Sequence, residues 1–548
     1  MVSNATAKVE LTIDGQSLKV DATATVLEVA LAHQVEIPYF CYHPYLSVPG
    51  NCRQCEVKVG SRQEDGSIRW MPKLQVSCNM PVAEGLVVDT RCDEVIQAQK
   101  NNMEFLLINH PLDCPICDQV GECWLQEHAY TAGMGETRFR EEKVHMDKRV
   151  DIGPHVLLDK ERCIQCTRCI RFCDEVTGTS ELALMARGNH TEVDIFPGRP
   201  LDNPYSGNVV DICPVGALTL KEFRFKSRLW FLKTADSICP GCARGCNIKI
   251  WHRDHAIARL TPRDNPEVNK SWMCDQGRLL APTLEAGERV REPRVEGKAV
   301  DWQEALDEAV SRLRRSGRPA GVIHPWSTLE EGWLALKVLA AAGEGGRPML
   351  MALPAHEQGE DDDLLLRADK SPNRRGLENL LTARDAESAS VADLLDRAVA
   401  GELSALLVVG EDLATLVSEE KLAAATAAGL ELIVVASHEN ATTRAGTIVL
   451  PAGIFPEVDG TVVNFQGRVQ VMRAAYPPPF LARTGAWILT RLASRLGDGS
   501  EDARPRDLFD ELAAQVPAFQ GLTFARLGAG GCVLPGGACE TPASGSVG

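Results

Sequence analysis

Nineteen cysteines lie in this chain of 548 residues, and seventeen of them fall between Cys41 and Cys274. Clustered cysteines in a reducing compartment bind metal or carry out redox chemistry more often than they form disulfides. The first constellation is Cys41-x10-Cys52-x2-Cys55-x22-Cys78. Two thiolates from a tight turn and one from either side can surround a 2Fe-2S core. Gly50 and Asn51, just ahead of the pair, suit a loop whose backbone amides face sulfur. Four cysteines also satisfy a structural zinc, but the ten-residue gap is unlike the short paired knuckles of zinc ribbons. The second constellation is His110-x3-Cys114-x2-Cys117-x5-Cys123. An imidazole in place of one thiolate makes a 4Fe-4S cluster one unit less negative, and net charge is a lever on reduction potential.

The third constellation, Cys163-x2-Cys166-x2-Cys169, is completed by the distant Cys213-Pro214. It resembles the bacterial ferredoxin spacing that holds a cubane 4Fe-4S cluster. Cys173 stands where a two-cluster ferredoxin lends a ligand to its second cluster, but no second close triplet lies near Cys213, so one cluster is expected. The fourth, Cys239-x2-Cys242-x3-Cys246-x27-Cys274, again offers a close triplet and a remote thiolate, with Gly241 and Gly245 allowing close backbone approach. Cys92, Cys173, Cys532 and Cys539 remain, and are expected to be buried bystander thiols.

These ligands need elements to hold them. Val9, Leu11 and Ile13, then Asp14-Gly15, then Leu18 and Val20 predict a half-buried hairpin. A short helix with Val26, Leu27, Ala30 and Leu31 follows, with strands at 55–59 and 86–89. Residues 93–109 predict a helix with Ile96, Met103, Leu106 and Leu107 on one side, stopped by His110-Pro111. From 113 to 280 the apolar runs are short and broken by Cys, Pro and Gly, as in a segment organised around ligands. After residue 300 the texture changes. Helices near 302–315 and 328–342 and buried-strand runs at 405–409, 430–436 and 447–450 predict a parallel α/β layer. Residues 357–390, charged and poor in apolar side chains, are expected to be a surface excursion, and residues 528–548, rich in Gly, Ala and Ser, a mobile tail. No internal repeat is visible.

Composition narrows the function. The charge of -17 gives no footprint for nucleic acid or an anionic membrane. The longest apolar runs fall far short of the ~20 residues of a membrane span, and no secretory leader precedes the first strand, so a soluble chain is expected. No Walker loop and no GxGxxG after a strand is present, so ATP and NAD sites are not expected. Four clusters without a catalytic constellation describe an electron wire, with catalytic residues: none.

The runs Cys52-Arg53-Gln54-Cys55, His110-Pro111-Leu112-Asp113-Cys114-Pro115-Ile116-Cys117-Asp118-Gln119 and Asp211-Ile212-Cys213-Pro214-Val215-Gly216-Ala217-Leu218 resemble the large iron-sulfur subunit family of respiratory complex I, the NADH-quinone oxidoreductase of bacteria. The likeness extends to about residue 290. Farther on, Val449-Leu450-Pro451-Ala452, Glu457, Asp459-Gly460-Thr461, Asn464 and Gly467-Arg468 resemble the molybdopterin oxidoreductases, a domain that complex I subunits carry in degenerate form. The resemblance implies a multidomain α+β and α/β chain. Its segments are a 2Fe-2S ferredoxin-like β-grasp domain (1–92), a helical 4Fe-4S domain with one histidine and three cysteine ligands (93–133), a ferredoxin-like 4Fe-4S domain (145–230), a molybdopterin-oxidoreductase-type 4Fe-4S domain (231–290), a truncated molybdopterin-oxidoreductase-like α/β domain (295–525) and a flexible tail (526–548). It further implies one 2Fe-2S and three 4Fe-4S clusters and no molybdopterin, in a relay from the flavin of an NADH-binding partner toward quinone-side iron-sulfur subunits. The first three clusters would lie on that line and the fourth off it. Such a chain would sit in the bacterial cytoplasm, peripheral on the inner membrane through its partners.

Two other functions share some or all of these constellations, the first the N-terminal ones and the second, in some members, all four. One is the iron-sulfur subunit of a NAD-linked hydrogenase or diaphorase. The other is a catalytic formate dehydrogenase subunit. Against the latter stand the lack of any cysteine from 275 to 531, the few residues left after Val290, and Gln276 where catalytic members resemble one another in placing a lysine.

Overall fold

A computed structural model describes residues 7–343 and 349–534. The chain forms two compact units, one through Phe231 and the other from Leu232. The first unit opens with β1 (Lys8–Ile13) and β2 (Gln16–Asp21), a hairpin turned by Asp14 and Gly15 with φ of 48° and 86°. Those left-handed angles give a turn whose twist matches the flanking strands, which is why Asp-Gly signals it. Helix α1 (Val26–Ala32) starts at a capping box in which Thr25 and Glu28 satisfy each other's backbone N–H. Strands β3 (Glu56–Arg62), β4 (Ile68–Trp70), β5 (Gln75–Val76) and β6 (Leu86–Asp89) complete a sheet of order β2-β1-β6-β3-β4, with β5 also on β3. Only β1 and β6 run parallel, the mixed arrangement of a β-grasp. Helix α2 (Asp93–Leu107) packs on β3. Its buried side is Val95, Gln99 and Met103, and Ile96 is 40% exposed, so the predicted apolar face is rotated. The rotation serves Gln99, whose side chain bonds the backbone of β3 at Glu56.

The rest of this unit is short pieces between long loops. They are α3 (Trp124–Ala132), β7 (Val150–Asp151), β8 (Val156–Leu158), α4 (Arg168–Glu175), β9 (Leu182–Met185), β10 (Glu192–Ile195), α5 (Asn208–Asp211) and β11 (Leu218–Leu220). β7, β8 and β11 form one small antiparallel sheet, and β9 and β10 another.

The second unit begins with an antiparallel sheet of β12 (Lys233–Ile238), β13 (Asn247–Arg253) and β14 (Ala256–Pro262), followed by α6 (Asp275–Arg278) and α7 (Ala281–Glu285). Strands β15 (Arg294–Val295) and β16 (Lys298–Ala299) lead to α8 (Trp302–Ser316), β17 (Ala320–Ile323), α9 (Leu329–Ala342), β18 (Leu350–Ala352), α10 (Arg374–Ala383), β19 (Glu387–Ser388), α11 (Val391–Val399), β20 (Ala405–Val409), α12 (Glu419–Ala427), β21 (Glu431–Ala436), α13 (Ala441–Ala445) and β22 (Ile448–Pro451). The sheet order is β16-β15-β22-β21-β20-β17-β18-β19, parallel from β22 to β19. Helices cover both faces, so β17, β20 and β21 are near-continuous buried runs, as the sequence predicts for a parallel layer. Strands β23 (Gly460–Val463) and β24 (Arg468–Met472), helices α14 (Gly485–Arg495), α15 (Pro505–Gln515) and α16 (Phe524–Leu527), and β25 (Cys532–Val533) complete the unit.

Three expectations fail here. Residues 357–390 are not only a surface excursion: Leu365, Leu377 and Leu380 are buried, and Asn373 is fully buried, donating to the Ser327 carbonyl at 2.7 Å and accepting from Val463 N–H at 2.7 Å. The few buried positions are diluted by charge in the sequence. The start of the expected tail belongs to the fold, because β25 pairs with β24; the rest of it, with Cys539, lies outside the described residues. Cys532 is a fully buried, disulfide-bonded residue, not a free thiol. Among the described residues no helix is long and apolar enough to cross a membrane.

Candidate metal centres

The first constellation sits where loops meet β3. Cys41, Cys55 and Cys78 are buried and Cys52 is half-buried. The turn bearing Cys52 and Cys55 takes left-handed backbone at Gly50 and Arg53. It is clamped onto α2 by the buried Gln54, which donates to the Gln99 carbonyl at 3.1 Å, and by Asn102, which donates to the Arg53 carbonyl at 2.9 Å. The four thiols hydrogen-bond in a chain, Cys52 with Cys41, Cys41 with Cys78 and Cys78 with Cys55. Cys41 and Cys55 are held below the ordinary thiol range, first by thiols of Cys52 and Cys78 donating to them, and Cys52 and Cys78 rise in exchange. The backbone N–H groups of Asn51 and Cys52 also point at Cys41 Sγ.

His110, Cys114, Cys117 and Cys123 line one cavity with Asp113, Gln126, Arg162 and Gly216. Two arginines clamp this loop: Arg162 donates to Asp113 at 2.9 Å, and Arg228 donates to the carbonyls of Cys117 and Pro115, each at 2.6 Å. Burial, then Lys143 and Arg162, brings His110 down to about 4, so its imidazole is neutral at pH 7. A Cβ on Gly216 would lie 2.2 Å from Cys117 Sγ, so only glycine fits there.

Cys163, Cys166, Cys169 and Cys213 line a third cavity with Val193, Val215 and Leu218. Left-handed backbone at Gln165 and Thr167 folds the triplet. Cys173, on the same helix as Cys169, is fully buried but packs against Glu181 outside this socket, and Cys92, at the N-cap position of α2, is half-buried, not buried as expected. Cys239, Cys242, Cys246 and Cys274 line the fourth socket with Gly241, Gly245, Gly277 and Leu365. Cys239 follows β12, Cys246 precedes β13, and Cys239 N–H donates to the Cys246 carbonyl at 2.8 Å to close the loop. Gly277 N–H donates to Cys274 Sγ at 3.3 Å, and a Cβ on Gly277 would stand 3.0 Å from Cys239 Sγ.

Each socket fits an iron-sulfur cluster by its donors and by N–H groups aimed at sulfur, and the second and fourth also by glycine clearances. Burial is the largest cause pushing all eight thiols of the third and fourth sockets above their ordinary range. Buried thiols keep their protons unless a cation replaces them, and iron supplies that charge.

Three groups of residues went unseen in the sequence. Arg168 is 2% exposed and donates to the Ile212 carbonyl at 3.1 Å and the Tyr42 carbonyl at 2.5 Å, with its guanidinium 4.4 Å over the Trp124 ring. Its Nε is buried without a hydrogen-bond partner, a lone cationic donor beside the third socket. Arg171 donates to the carbonyls of Cys41 at 2.5 Å and Cys166 at 3.3 Å. In the second unit Lys370 Nζ reaches Gln276 Oε1 at 3.3 Å, which brings a cation from another segment to position 276. The third group is His324, His356 and Glu411. Arg-rich stretches near cysteines are a weak sequence signal for the first; nothing local marks the other two.

Residues 6–92 match the 2Fe-2S iron-sulfur cluster binding domain, 99–138 the NADH-ubiquinone oxidoreductase-G iron-sulfur binding region, and 153–219 the ferredoxin-like domain of NADH-quinone oxidoreductase subunit 3. Residues 232–285 match the molybdopterin oxidoreductase Fe4S4 domain and 371–495 the molybdopterin oxidoreductase family. The NADH-quinone oxidoreductase G subunit of Rickettsia bellii is 42% identical over 310 residues, covering 56% of this chain and 44% of the relative. The NADH-ubiquinone oxidoreductase 75 kDa subunit of Reclinomonas americana is 37% identical over 374 residues, 66% of this chain and 52% of that one. A solved NAD+-reducing [NiFe]-hydrogenase in the H2-reduced state aligns at 29% identity over 41% of this chain and 92% of that chain, with a TM-score of 0.36. The chain spans about half the length of the curated relatives it matches. Over its matched residues the chain is a homologue of the G and 75 kDa iron-sulfur subunits of NADH-quinone oxidoreductases, with 2Fe-2S, 4Fe-4S and molybdopterin-oxidoreductase-type domains in sequence.

Proposed function

We propose that this chain is the iron-sulfur electron-relay subunit of an NADH:quinone oxidoreductase. It takes electrons from the flavin of a partner subunit and hands them to quinone-side iron-sulfur subunits, with no substrate site of its own and no molybdopterin. The ligands are Cys41, Cys52, Cys55 and Cys78 for a 2Fe-2S cluster, and three sets for 4Fe-4S clusters: His110, Cys114, Cys117 and Cys123; Cys163, Cys166, Cys169 and Cys213; Cys239, Cys242, Cys246 and Cys274. The segment boundaries drawn from the sequence stand as part of this proposal, as does a place on the cytoplasmic face of the inner membrane held by partners.

The observation that carries the reading is that single residues join the first three sockets. Arg171 touches the carbonyls of Cys41 and Cys166, and Gly216, next to the loop of Cys213, abuts Cys117. Bound clusters supply one-electron redox chemistry; the chain's own work is to hold them as neighbours, exclude water and set their charge environment. Leu112 and Ile116, which flank Cys114, are 89% and 61% exposed, apolar groups placed for an acceptor to cover.

Iron and acid-labile sulfide counts with low-temperature EPR on the anaerobically purified chain test this. One 2Fe-2S and three 4Fe-4S clusters, about 14 iron atoms per chain, are expected. Tightly bound zinc with little sulfide would overturn the ligand assignments. Near-stoichiometric molybdenum or tungsten with formate oxidation would overturn the relay in favour of catalysis.

A further inference from the structure

The parallel strands lie in the order β19-β18-β17-β20-β21-β22, so the chain direction of the winding reverses between β17 and β20. At such a reversal the loops leaving neighbouring carboxyl ends turn to opposite faces and open a crevice, the usual place for a ligand in a doubly wound sheet. A cavity of about 310 Å³ lies here, lined among others by His324, Ser327, Gly410 and His438. Phosphate-binding sheets meet this crevice with a glycine-rich loop and a free helix N-terminus. This chain has His324-Pro325-Trp326-Ser327-Thr328 instead. The first turn of α9 carries the buried Glu330 and Glu331, and Glu331 accepts from Thr328 N–H at 2.8 Å. That end of the helix is capped and acidic, which disfavours an anion.

Cation ligands gather in the same place. His324 follows β17, His356 follows β18, and Glu411 follows β20. His356 Nε2 is 3.0 Å from Glu411 Oε2, and His324 Nε2 is 3.9 Å from the same oxygen. The two imidazoles stack with centroids 4.7 Å apart at 24°. One ligand atom from each of the three residues lies within 4.8 Å of the others. Glu411 is 3% exposed, and both its ion-pair contacts are to these imidazoles. A buried carboxylate faced by two imidazoles is a costly way to fill space unless a charge is to be held there. The loops are also fixed in place. Lys370 N–H donates to the His356 carbonyl at 2.7 Å, and Trp326 Nε1 donates to the Lys370 carbonyl at 2.8 Å, so one residue pins both histidine loops.

We propose that His324, His356 and Glu411 bind one divalent cation of the zinc class, leaving a further coordination position open to the crevice for water or an oxygen ligand. Two imidazoles and one carboxylate are a known zinc donor set, and nitrogen donors select zinc over magnesium or calcium. His324 Nδ1 accepts Trp326 N–H at 3.0 Å, which leaves the proton on Nε2. Ligation through Nε2 therefore requires that proton to move to Nδ1 and gives up the hydrogen bond from Trp326, a cost well below the free energy of metal ligation. The inference is independent of the relay reading, since no cysteine of the four sockets is among the ligands.

The test uses the full chain, purified anaerobically, treated with a chelator that spares its clusters, and then given Zn²⁺ alone. One zinc per chain should survive dialysis, and zinc X-ray absorption should show nitrogen and oxygen neighbours at about 2.0–2.2 Å. His356→Ala should lose this zinc and Glu411→Gln should weaken it, with iron and labile sulfide unchanged. The proposal is overturned by no retained zinc, by a sulfur shell at about 2.3 Å, which would place the zinc on cysteines of an unfilled socket, or by zinc that persists in His356→Ala. If that variant loses its iron as well, the neighbour shell of zinc in the unaltered chain decides the matter.

Discussion

Helix α4 in the first unit turns Arg168, Cys169, Arg171, Phe172 and Cys173 inward, whereas helix α9 in the second turns in Leu329, Trp333, Leu334, Leu336, Val338 and Leu339. Helix α9 lies in an apolar core shared with β17, β20, β21 and α14, and burial of that surface stabilises it without help. Helix α4 has one large apolar side chain fully buried, Phe172, and two buried guanidinium groups bonded to backbone carbonyls. Burying cations this way is unfavourable unless negative charge lies nearby. Clusters on the proposed thiolate ligands would supply it, and around α4 cofactor binding and folding would then be one process. The α/β sheet is built on apolar burial, and α4 on buried polar groups that a bound cluster would complete.

Removing the clusters breaks the comparison most sharply. Anaerobic extraction of iron should raise backbone hydrogen exchange in residues 110–231 by about two orders of magnitude or more and leave β17, β20 and β21 protected. Equal loss in both regions would mean that the second unit also depends on clusters.

A single methyl group comes next. Gly216→Ala places a carbon 2.2 Å from Cys117 Sγ, so the His110 centre should be lost from the EPR spectrum and the iron count should fall by about four. A full complement of iron would show that the loop can move aside.

The apolar unit has its own titrating weak point. Glu330 is fully buried, accepts from Thr461 N–H at 2.8 Å, and is pushed up to about 7 by burial. Its folded pKa lies above the unfolded value of 4.5. The stability it contributes is therefore complete below that value and is lost as pH rises toward 7, at up to about 1.4 kcal/mol per pH unit. Denaturation of the second unit should be flatter with pH across this window in Glu330→Gln; an unchanged slope would assign the dependence elsewhere.

The smallest effect sharpens the role of α4. Arg168→Gln removes a positive charge that favours the reduced cluster, so the third centre should titrate lower by tens of mV, on a scale where about 59 mV is tenfold for one electron. Arg168→Lys should restore most of it. Equal shifts in both variants would point to packing instead of charge.

The sequence by itself determined the four ligand sets as candidates, the opening hairpin and the parallel layer. Cluster ligands come mostly from short loops of fixed spacing, a two-residue turn needs Asp-Gly, and a strand covered on both faces must be apolar throughout. Tertiary structure alone decided what surrounds them. Gly216 is written in the motif of Cys213 but serves Cys117. Arg171 and Cys41 meet across 130 positions, and His356 and Glu411 across 55. Lys370 reaches Gln276 across 94, bringing a cation to that position from another segment. Such pairs leave no periodicity in the chain, because they are set by strand order and loop closure, and a winding reversal between β17 and β20 exists only once the whole sheet is assembled.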